Sequence, residues 1–473
     1  MIEGARTLAR MATIPPPAPD AASLAAYAEA ARGLLARGGF ERTGNTADAK
    51  KWDIAHVEAW LEGRRRPDRR PTVHVAGSKG KGTVATLTEA ILRHAGAHTL
   101  LLTSPDLHSA RERIAIDGLA VAPEAFAHLA HEVLADPSTQ GWSYFELLTV
   151  MGWLAGAAAE CDWQVLEVGL GGRLDTTNAV DHASKRVAVI TPIDLEHTEI
   201  LGETIPLIAA EKAGIITAPC AVIASPMRES ALAVVRARAL EAGATLHEVT
   251  KECALRIVTS NLDGQTLDLQ TPKRTYRGLK TPLVGPHQAE NIATAVRAAE
   301  EAWATTEGAD IGPIPEAAVK RALETTRMPG RLEVIQRKPM TILDGLHTPL
   351  AARRFTEAIR GLAIPARRVW VLGILAGKDL PAILDGLGLG EGDEVIVTSP
   401  PTPRAADPLA VTHALRERGA IPQRAADVPH ALDAASTLAG DRGAVLVVGS
   451  LYTVAAAREH LLGLTGDHAL GLR

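Results

Sequence analysis

Apolar positions recur along this chain with two periods, and the two alternate. Residues 24–39 (LAAYAEAARGLLARGG) and 56–63 (HVEAWLEG) space their apolar side chains three and four apart, which predicts two opening helices. Short β-branched runs follow: TVHVAG, AHTLLLTSP, WQVLEVG, RVAVITP and AVIASP each predict a strand ending in a loop. Between them FELLTVMGWLAGAAAE and IPLIAAEKAG predict helices. Strands that alternate with helices form βαβ units around a parallel sheet, so an α/β fold is expected.

The pattern changes over residues 252–284. ALRIVTS and TLDLQT alternate with period two around Asn-Leu-Asp-Gly, which predicts a small antiparallel hairpin beside the main sheet. A helix is expected from about His287. Residues 307–330, with Gly312, Pro313, Pro315, Pro329 and Gly330, read as a linker. Beyond them MTILDG, RRVWVLGIL, DEVIVTSP and AVLVVGS begin a second βα series. The expected domains are a flexible Pro/Ala-rich leader (1–22), a large nucleotide-binding domain with the antiparallel addition (23–326), and a smaller, doubly wound, Rossmann-like C-terminal domain of ~140 residues (327–473).

A chain of 473 residues with 46% hydrophobic and 22% charged positions can bury two or three cores. A net charge of -5 and only 3% aromatic residues argue against a nucleic-acid partner. The basic run RRRPDRR (64–70) reads as a solvated loop. Cys161, Cys220 and Cys253 stand far apart, which fits a reducing compartment rather than a disulfide framework or a zinc site. No membrane span is expected, and the leader has no signal-peptide core, so the expected compartment is the cytoplasm.

The chemistry starts at residues 74–87, HVAGSKGKGTVATL. Strand, glycine loop and helix in that order make an anion site, because backbone N–H groups and the helix dipole point at the ligand. Gly77, Gly80 and Gly82 let phosphate oxygens approach, Lys81 can reach the terminal phosphates, and Thr83 can offer a hydroxyl to Mg²⁺. The spacing is not that of a Walker loop: Val75 stands where the first glycine belongs, and Gly82 replaces the hydroxyl residue after the lysine. Three further segments end strands on the same expected edge. They carry Ser104, then Arg173, Asp175 and Asn178, then His197. Glu146 or His197 taken singly reads as a satisfied polar residue. As a cluster, hard oxygen ligands with one imidazole suit Mg²⁺ or Mn²⁺ brought in by a nucleotide.

In order and spacing, HVAGSKGKGT, TSPDL, RERI, YFELLT, LEVGLGGRLDTTN, LEHTEILG, EKAGII, GPHQAEN, PGRLE, LDGLHTP, GKD and VVGSLYTV resemble the folylpolyglutamate synthase/dihydrofolate synthase family of Mur-type ATP-dependent amide ligases. The resemblance runs from about Trp52 to about Arg458. It implies that ATP phosphorylates a folate-type carboxylate and that L-glutamate attacks the acyl phosphate. By the same resemblance Lys81 and the loop glycines hold the phosphates and Thr83 binds a first Mg²⁺. Ser104, Glu146 and His197 bind a second. Asn291 and Gln288 contact the nucleotide, Arg331 the γ-phosphate, Asp344 the ribose, and His347 faces the phosphates. Lys378 and Asp379 read either as glutamate-side contacts or as a solvated loop. Lys212, read from its helix alone, is a surface partner of Glu211; the resemblance implies instead that it carries a carbamate.

Asp106, Ile292, Leu346, Thr348 and Gly377 depart from the family pattern and bear on substrate more than on reaction. Two other readings stay open: a Mur-type ligase for a different carboxylate such as a cell-wall precursor, and a P-loop ATPase or binding module without ligase activity. Only about 70 residues precede the glycine loop, few for the extra N-terminal domain of a cell-wall ligase. The resemblance also implies a monomer.

Overall fold

The computed structural model describes residues 20–39, 53–217, 220–306 and 312–472. The larger of its two parallel-wound sheets has eight strands. In spatial order they are Leu119–Ala120, Ile114–Ile116, Thr99–Leu102, Trp163–Glu167, Thr72–Ala76, Lys185–Ile190, Ala221–Ala224 and Thr245–Glu248. Only the two short edge strands join by antiparallel pairing. Thr72–Ala76 and Trp163–Glu167 are buried at every position, as strands covered on both faces must be. Val73, Val75 and Val165 pack under the helices Lys81–His94 and Pro286–Ala304, while Leu100, Leu102 and Leu166 pack under Tyr144–Ala158.

The second sheet has six strands, in the order Glu333–Arg337, Met340–Asp344, Ala444–Val448, Arg368–Leu372, Glu394–Val397 and Ile421–Arg424. All pair in parallel except the first, which is antiparallel to Met340–Asp344. Several helices here open on a side-chain cap followed by proline: Thr348 accepts from Ala351 N before Pro349, and Asp407 accepts from Leu409 N before Pro408. The cap satisfies an orphan N–H where proline has none to offer. The α/β reading of both halves therefore holds.

Several expectations need correction. The leader lies outside the described residues up to residue 19, but Ala21 and Ala22 already belong to helix Ala21–Leu35, capped by Asp20. The antiparallel addition has three strands, not two: Thr275–Thr281 joins Gly264–Gln270 and Ala254–Asn261. Within the expected linker, Glu316–Thr325 is a helix that buries Val319, Ala322 and Leu323 in the main core. The run RRRPDRR is not a solvated loop. Arg66, Asp68 and Arg70 are buried, Arg66 pairs with Asp68 at 2.6 Å, and Arg70 donates to Gln164 Oε1. The C-terminal tail also leaves the second sheet: Leu472 enters the core of the first domain beside Tyr27 and Leu34.

Candidate active site

The strand Thr72–Ala76 is the point at which the larger sheet reverses direction, with Thr99–Leu102 added on one side and Lys185–Ile190 on the other. Ligands of open α/β sheets sit outside the carboxyl ends at such a point. The glycine loop leaves from that end, and helix Lys81–His94 starts directly after Gly80. Gly80 has φ +88°, and a Cβ there would stand 2.5 Å from Asn291 Oδ1. Gly77, at φ +150°, lies so close to Thr191 that a side chain would collide with it. Both positions need glycine. Thr83 lies in the first helical turn and is 5% exposed.

Two ammonium groups converge on one carbonyl here. Lys81 Nζ and Lys212 Nζ each donate to Gly77 O at 3.0 Å. Lys212 also meets Glu196 Oε1 at 2.9 Å, and Lys79 meets Glu196 Oε2 at 3.3 Å. Burial pushes the Glu196 carboxyl up, but Lys212, Lys81 and Lys79 outweigh it and hold the group well below the carboxylate range. Burial, joined by the charge of Lys81, lowers the Lys212 ammonium despite Glu196. The surface pair of Lys212 with Glu211 is thus overturned: Lys212 is 2% exposed, and Glu211 pairs with Arg173 at 2.9 Å.

Glu167 was missed by the sequence reading. It ends the strand Trp163–Glu167, is 5% exposed, and accepts from Ser104 N at 3.0 Å. A Cβ on Gly82 would be 3.5 Å from its Oε2, so the carboxylate sits against the first turn of the loop helix. Burial raises its pKa, and Lys81, the Ser104 N–H, Arg331 and Arg113 offset this only in part. Glu146 is occupied elsewhere. Its Oε2 accepts from Ser143 N at 2.6 Å, its Oε1 is 2.8 Å from His56 Nε2, and Ser143 returns the bond to Glu146 N as a capping box. The buried carboxylate beside Ser104 is thus that of Glu167, while both oxygens of Glu146 are engaged by Ser143 and His56. His197 opens the short helix Thr198–Leu201, and burial lowers its pKa, with Glu196 opposing and Lys212, Lys378 and Lys81 adding to the effect. Arg173, Asp175 and Asn178 fold their own loop: Asp175 accepts from Leu170 N and Thr177 N, and Asn178 donates to Arg173 O.

Asn291 and Gln288 lie together, Nδ2 donating to Oε1 at 3.0 Å, directly against Gly80. From the second domain, Asp344 ends its strand and accepts from Leu332 N at 2.8 Å and Leu346 N at 2.9 Å. It thereby ties the Arg331 turn to the loop that carries His347. His347 Nδ1 donates to Gly345 O at 3.0 Å, and its pKa is lowered to about 4 by burial against that bond, with Lys79, Lys378 and Arg331 adding to it. The ring is neutral at pH 7, with an acceptor lone pair on Nε2. Lys378 follows the carboxyl end of Arg368–Leu372, and Arg404 follows that of Glu394–Val397. Among the described residues neither cationic group has an ion pair or hydrogen bond. Burial, then Arg404 and Lys79, lowers the Lys378 ammonium.

Most of these groups, among them Lys81, Glu167, Arg331, His347, Lys378 and Arg404, line one cavity of about 1560 Å³ between the two sheets, whereas Gly77, Arg173, Asn178 and Lys212 lie behind its lining. Among the described residues no three His, Cys, Asp or Glu side chains converge as a metal cage would. The donors present are hydroxyls and a buried carboxylate beside a phosphate loop, the set that suits a hard cation carrying much of its own shell from water and phosphate.

Residues 75–299 match the Mur ligase middle domain, and residues 330–451 match the Mur ligase, glutamate ligase domain. The dihydrofolate synthase/folylpolyglutamate synthase of Mycobacterium tuberculosis is 33% identical over 442 residues, covering 86% of this chain and 89% of that one. The structure of Mycobacterium tuberculosis folylpolyglutamate synthase complexed with ADP and AMPPCP superposes with a TM-score of 0.81 at 30% identity, over 93% of this chain and 99% of that one. Escherichia coli FolC in complex with DHPP and ADP superposes with a TM-score of 0.75 at 29% identity, over 87% and 94%. With the glycine loop, the neighbouring strand ends and the second lobe all present, the chain belongs to the folylpolyglutamate synthase/dihydrofolate synthase family of Mur-type ATP-dependent ligases.

Proposed function

We propose that this chain joins L-glutamate to a folate-type carboxylate at the expense of ATP. The observation that carries the reading is the meeting of two sheet edges on one cavity. The phosphate loop forms one wall, and Lys378 and Arg404, two cations whose side chains have no ion pair or hydrogen bond among the described residues, stand on the other. A phosphorylating site and an amino-acid site facing each other suit a ligase better than a simple ATPase.

A carboxylate is a poor electrophile, so its oxygen first takes the γ-phosphoryl group and ADP leaves. The glutamate amine then attacks the acyl carbon, inorganic phosphate departs, and the amine gives up a proton. Lys81 neutralises charge on the transferred group, as does Arg331 from the other lobe. Gly77, Gly80 and Gly82 keep the backbone within reach of phosphate oxygens, and Asn291 with Gln288 holds the loop from behind. Asp344 fixes the Arg331 turn and borders the ribose side. His347, neutral, is an acceptor on the same wall. Lys378 and Arg404 receive the glutamate carboxylates and so orient the amine.

Thr83 would hold one Mg²⁺; Ser104, Glu167 and His197 would hold a second. When bound, such ions neutralise the phosphates. Glu167 replaces Glu146 in this set because its carboxylate is buried beside Ser104, while both Glu146 oxygens are engaged. A carbamate on Lys212 belongs to the same reading. So do action as a monomer, since both walls come from one chain, a cytoplasmic location, and domains meeting near residue 327.

The test is ADP release by the purified protein with MgATP, L-glutamate and either dihydropteroate or tetrahydrofolate, with the product weighed by mass spectrometry. Glutamate-dependent release with one acceptor supports the proposal and names the substrate. Release indifferent to both would make the protein an ATPase.

A further inference from the structure

A line of polar contacts joins the two lobes through residues that the reaction does not use. It starts at His108, on the same loop as Ser104. Arg458 Nε, on helix Leu451–Leu462, donates to His108 Nε2 at 3.1 Å, and His108 Nδ1 lies 3.0 Å from Glu459 Oε1. The donor on Nε2's side fixes the tautomer: the ring proton is on Nδ1 and is given to Glu459. The other end of Arg458 pairs with Glu333 Oε1, and Glu333 Oε2 accepts from Gly330 N at 2.8 Å. Gly330 precedes Arg331, and its carbonyl accepts from Gly345 N at 2.8 Å. A Cβ on Gly330 would be 2.6 Å from Val454, one turn before Arg458, so the turn is seated on the same helix.

The first-lobe end is equally fixed. Glu112 accepts from the N–H groups of Leu107, His108 and Ser109, and Ser104 N donates to Glu167. His108 O accepts from Asp467 N at 2.7 Å, and Asp467 in turn receives Tyr27 OH and Ala110 N. The loop is therefore held on one side by its own lobe and on the other by the last helix and tail of the second.

We infer that His108 and Arg458 are positioning residues that couple the Ser104 loop of the first lobe to the Arg331 turn of the second. The two lobes must present Ser104 and Arg331 to the same phosphates, and displacement of a positioned group by about 1 Å costs orders of magnitude in rate. A largely shielded chain of directional bonds, its side chains between 11% and 25% exposed, transmits such a setting where fully exposed ion pairs would not. The inference rests on the proposed ligase reaction for its kinetic consequence but not for its geometric one.

The test uses the full chain with His108→Leu, Arg458→Met, the double variant and His108→Gln. The glutamine keeps an N–H for Glu459 and a carbonyl oxygen for Arg458. Hydrogen exchange of the peptide covering residues 327–346 should quicken in His108→Leu, although the change lies in the other lobe, and return towards wild type in His108→Gln. Glutamate-dependent ADP release should fall about tenfold in kcat for each single variant, with KM for ATP within twofold. The double should be no worse than the poorer single, because the two act as one unit. Unchanged exchange in 327–346, losses that multiply, or a glutamine variant as impaired as the leucine would overturn the coupling. Arg458→Lys, which keeps the charge and loses the fork, stands in if Arg458→Met does not fold. A wild type with no glutamate dependence would refute the ligase reading, and the exchange result would still decide the coupling.

Discussion

Gly80 and Asn291 are in contact across the phosphate loop, with room for no further atom: a Cβ on Gly80 would lie 2.5 Å from Asn291 Oδ1. Asn291 is buried and held by Gln288, so it cannot yield. Gly80 also has a positive φ that a side chain resists. Gly80→Ala should therefore deform the loop and lower kcat/KM for ATP by ~10²-fold, the scale of a lost oxyanion-type donor. Steady-state kinetics at varied MgATP check this, and a change within a few-fold would mean the loop does not cradle phosphate.

Glu167 and Glu146 separate cleanly. Glu167→Gln should raise the Mg²⁺ needed for half-maximal activity and lower kcat by ~10²-fold. Glu146→Ala should instead cost about 1 kcal/mol of stability through the lost capping box, shift activity by a few-fold at most, and leave the Mg²⁺ requirement in place. Magnesium titrations and thermal melts of both variants give the comparison. The reverse pattern would return the metal role to Glu146.

The sequence held the information to make this choice. Ser143-Tyr-Phe-Glu146 before an apolar run is a capping-box spelling, and a capping glutamate has its carboxylate committed to its own helix. Glu167 was hidden as the last letter of the strand WQVLE, although a lone acid at the carboxyl end of a buried strand is where a ligand-facing group belongs. Lys212 shows a similar slip. Neighbours on a helix point about 100° apart, so Glu211 could not have been its partner. The strand and helix order was legible because period two and period 3.6 seldom coincide. The helix Glu316–Thr325 was not, since two of its four buried positions are alanine, its outer face is charged, and prolines and glycines flank it. Which cations lacked partners could come only from three-dimensional contacts.

Lys378 and Arg404 are expected to act on one substrate alone. Lys378→Ala and Arg404→Ala should each raise KM for L-glutamate at least tenfold, because each removes a charge-assisted carboxylate contact. KM for ATP should move by less than threefold. An equal rise in both constants would place the two cations at the nucleotide instead.

His347 makes stability depend on pH in a predictable direction. Its folded pKa is lowered to about 4 by burial, whereas an exposed imidazole titrates near 6.5. Between those values the unfolded chain takes up a proton and the folded chain does not. The contribution is therefore complete above about pH 6.5 and drains away as pH falls towards 4. His347→Gln should narrow the gap between Tm at pH 7 and Tm at pH 5; His287, also lowered to about 4 by burial, keeps the gap from closing. An unchanged gap would mean that His347 takes up its proton as readily in the folded chain as in the unfolded one.

Lys212 offers the sharpest test because the proposed modification reverses its charge. Carbamate formation joins the neutral amine to CO₂ and releases a proton, so it needs an amine that loses its ammonium proton readily. Burial and Lys81 push Lys212 in that direction. The product is an anion built on the nitrogen that now lies 2.9 Å from Glu196 Oε1, and two anions in a buried site repel unless a cation enters between them. A divalent ion supplies that charge, so carbamate and Mg²⁺ should favour each other. Under ¹³CO₂, a carbamate NMR signal should appear in the wild type, strengthen with MgADP, and vanish in Lys212→Ala. The same variant should be nearly inactive and partly restored by acetate or formate, which bring back a carboxylate without the tether. Full activity of Lys212→Ala with no added carboxylate, or a wild type silent under ¹³CO₂ with MgADP, would leave Lys212 as the cationic partner of Glu196 and nothing more.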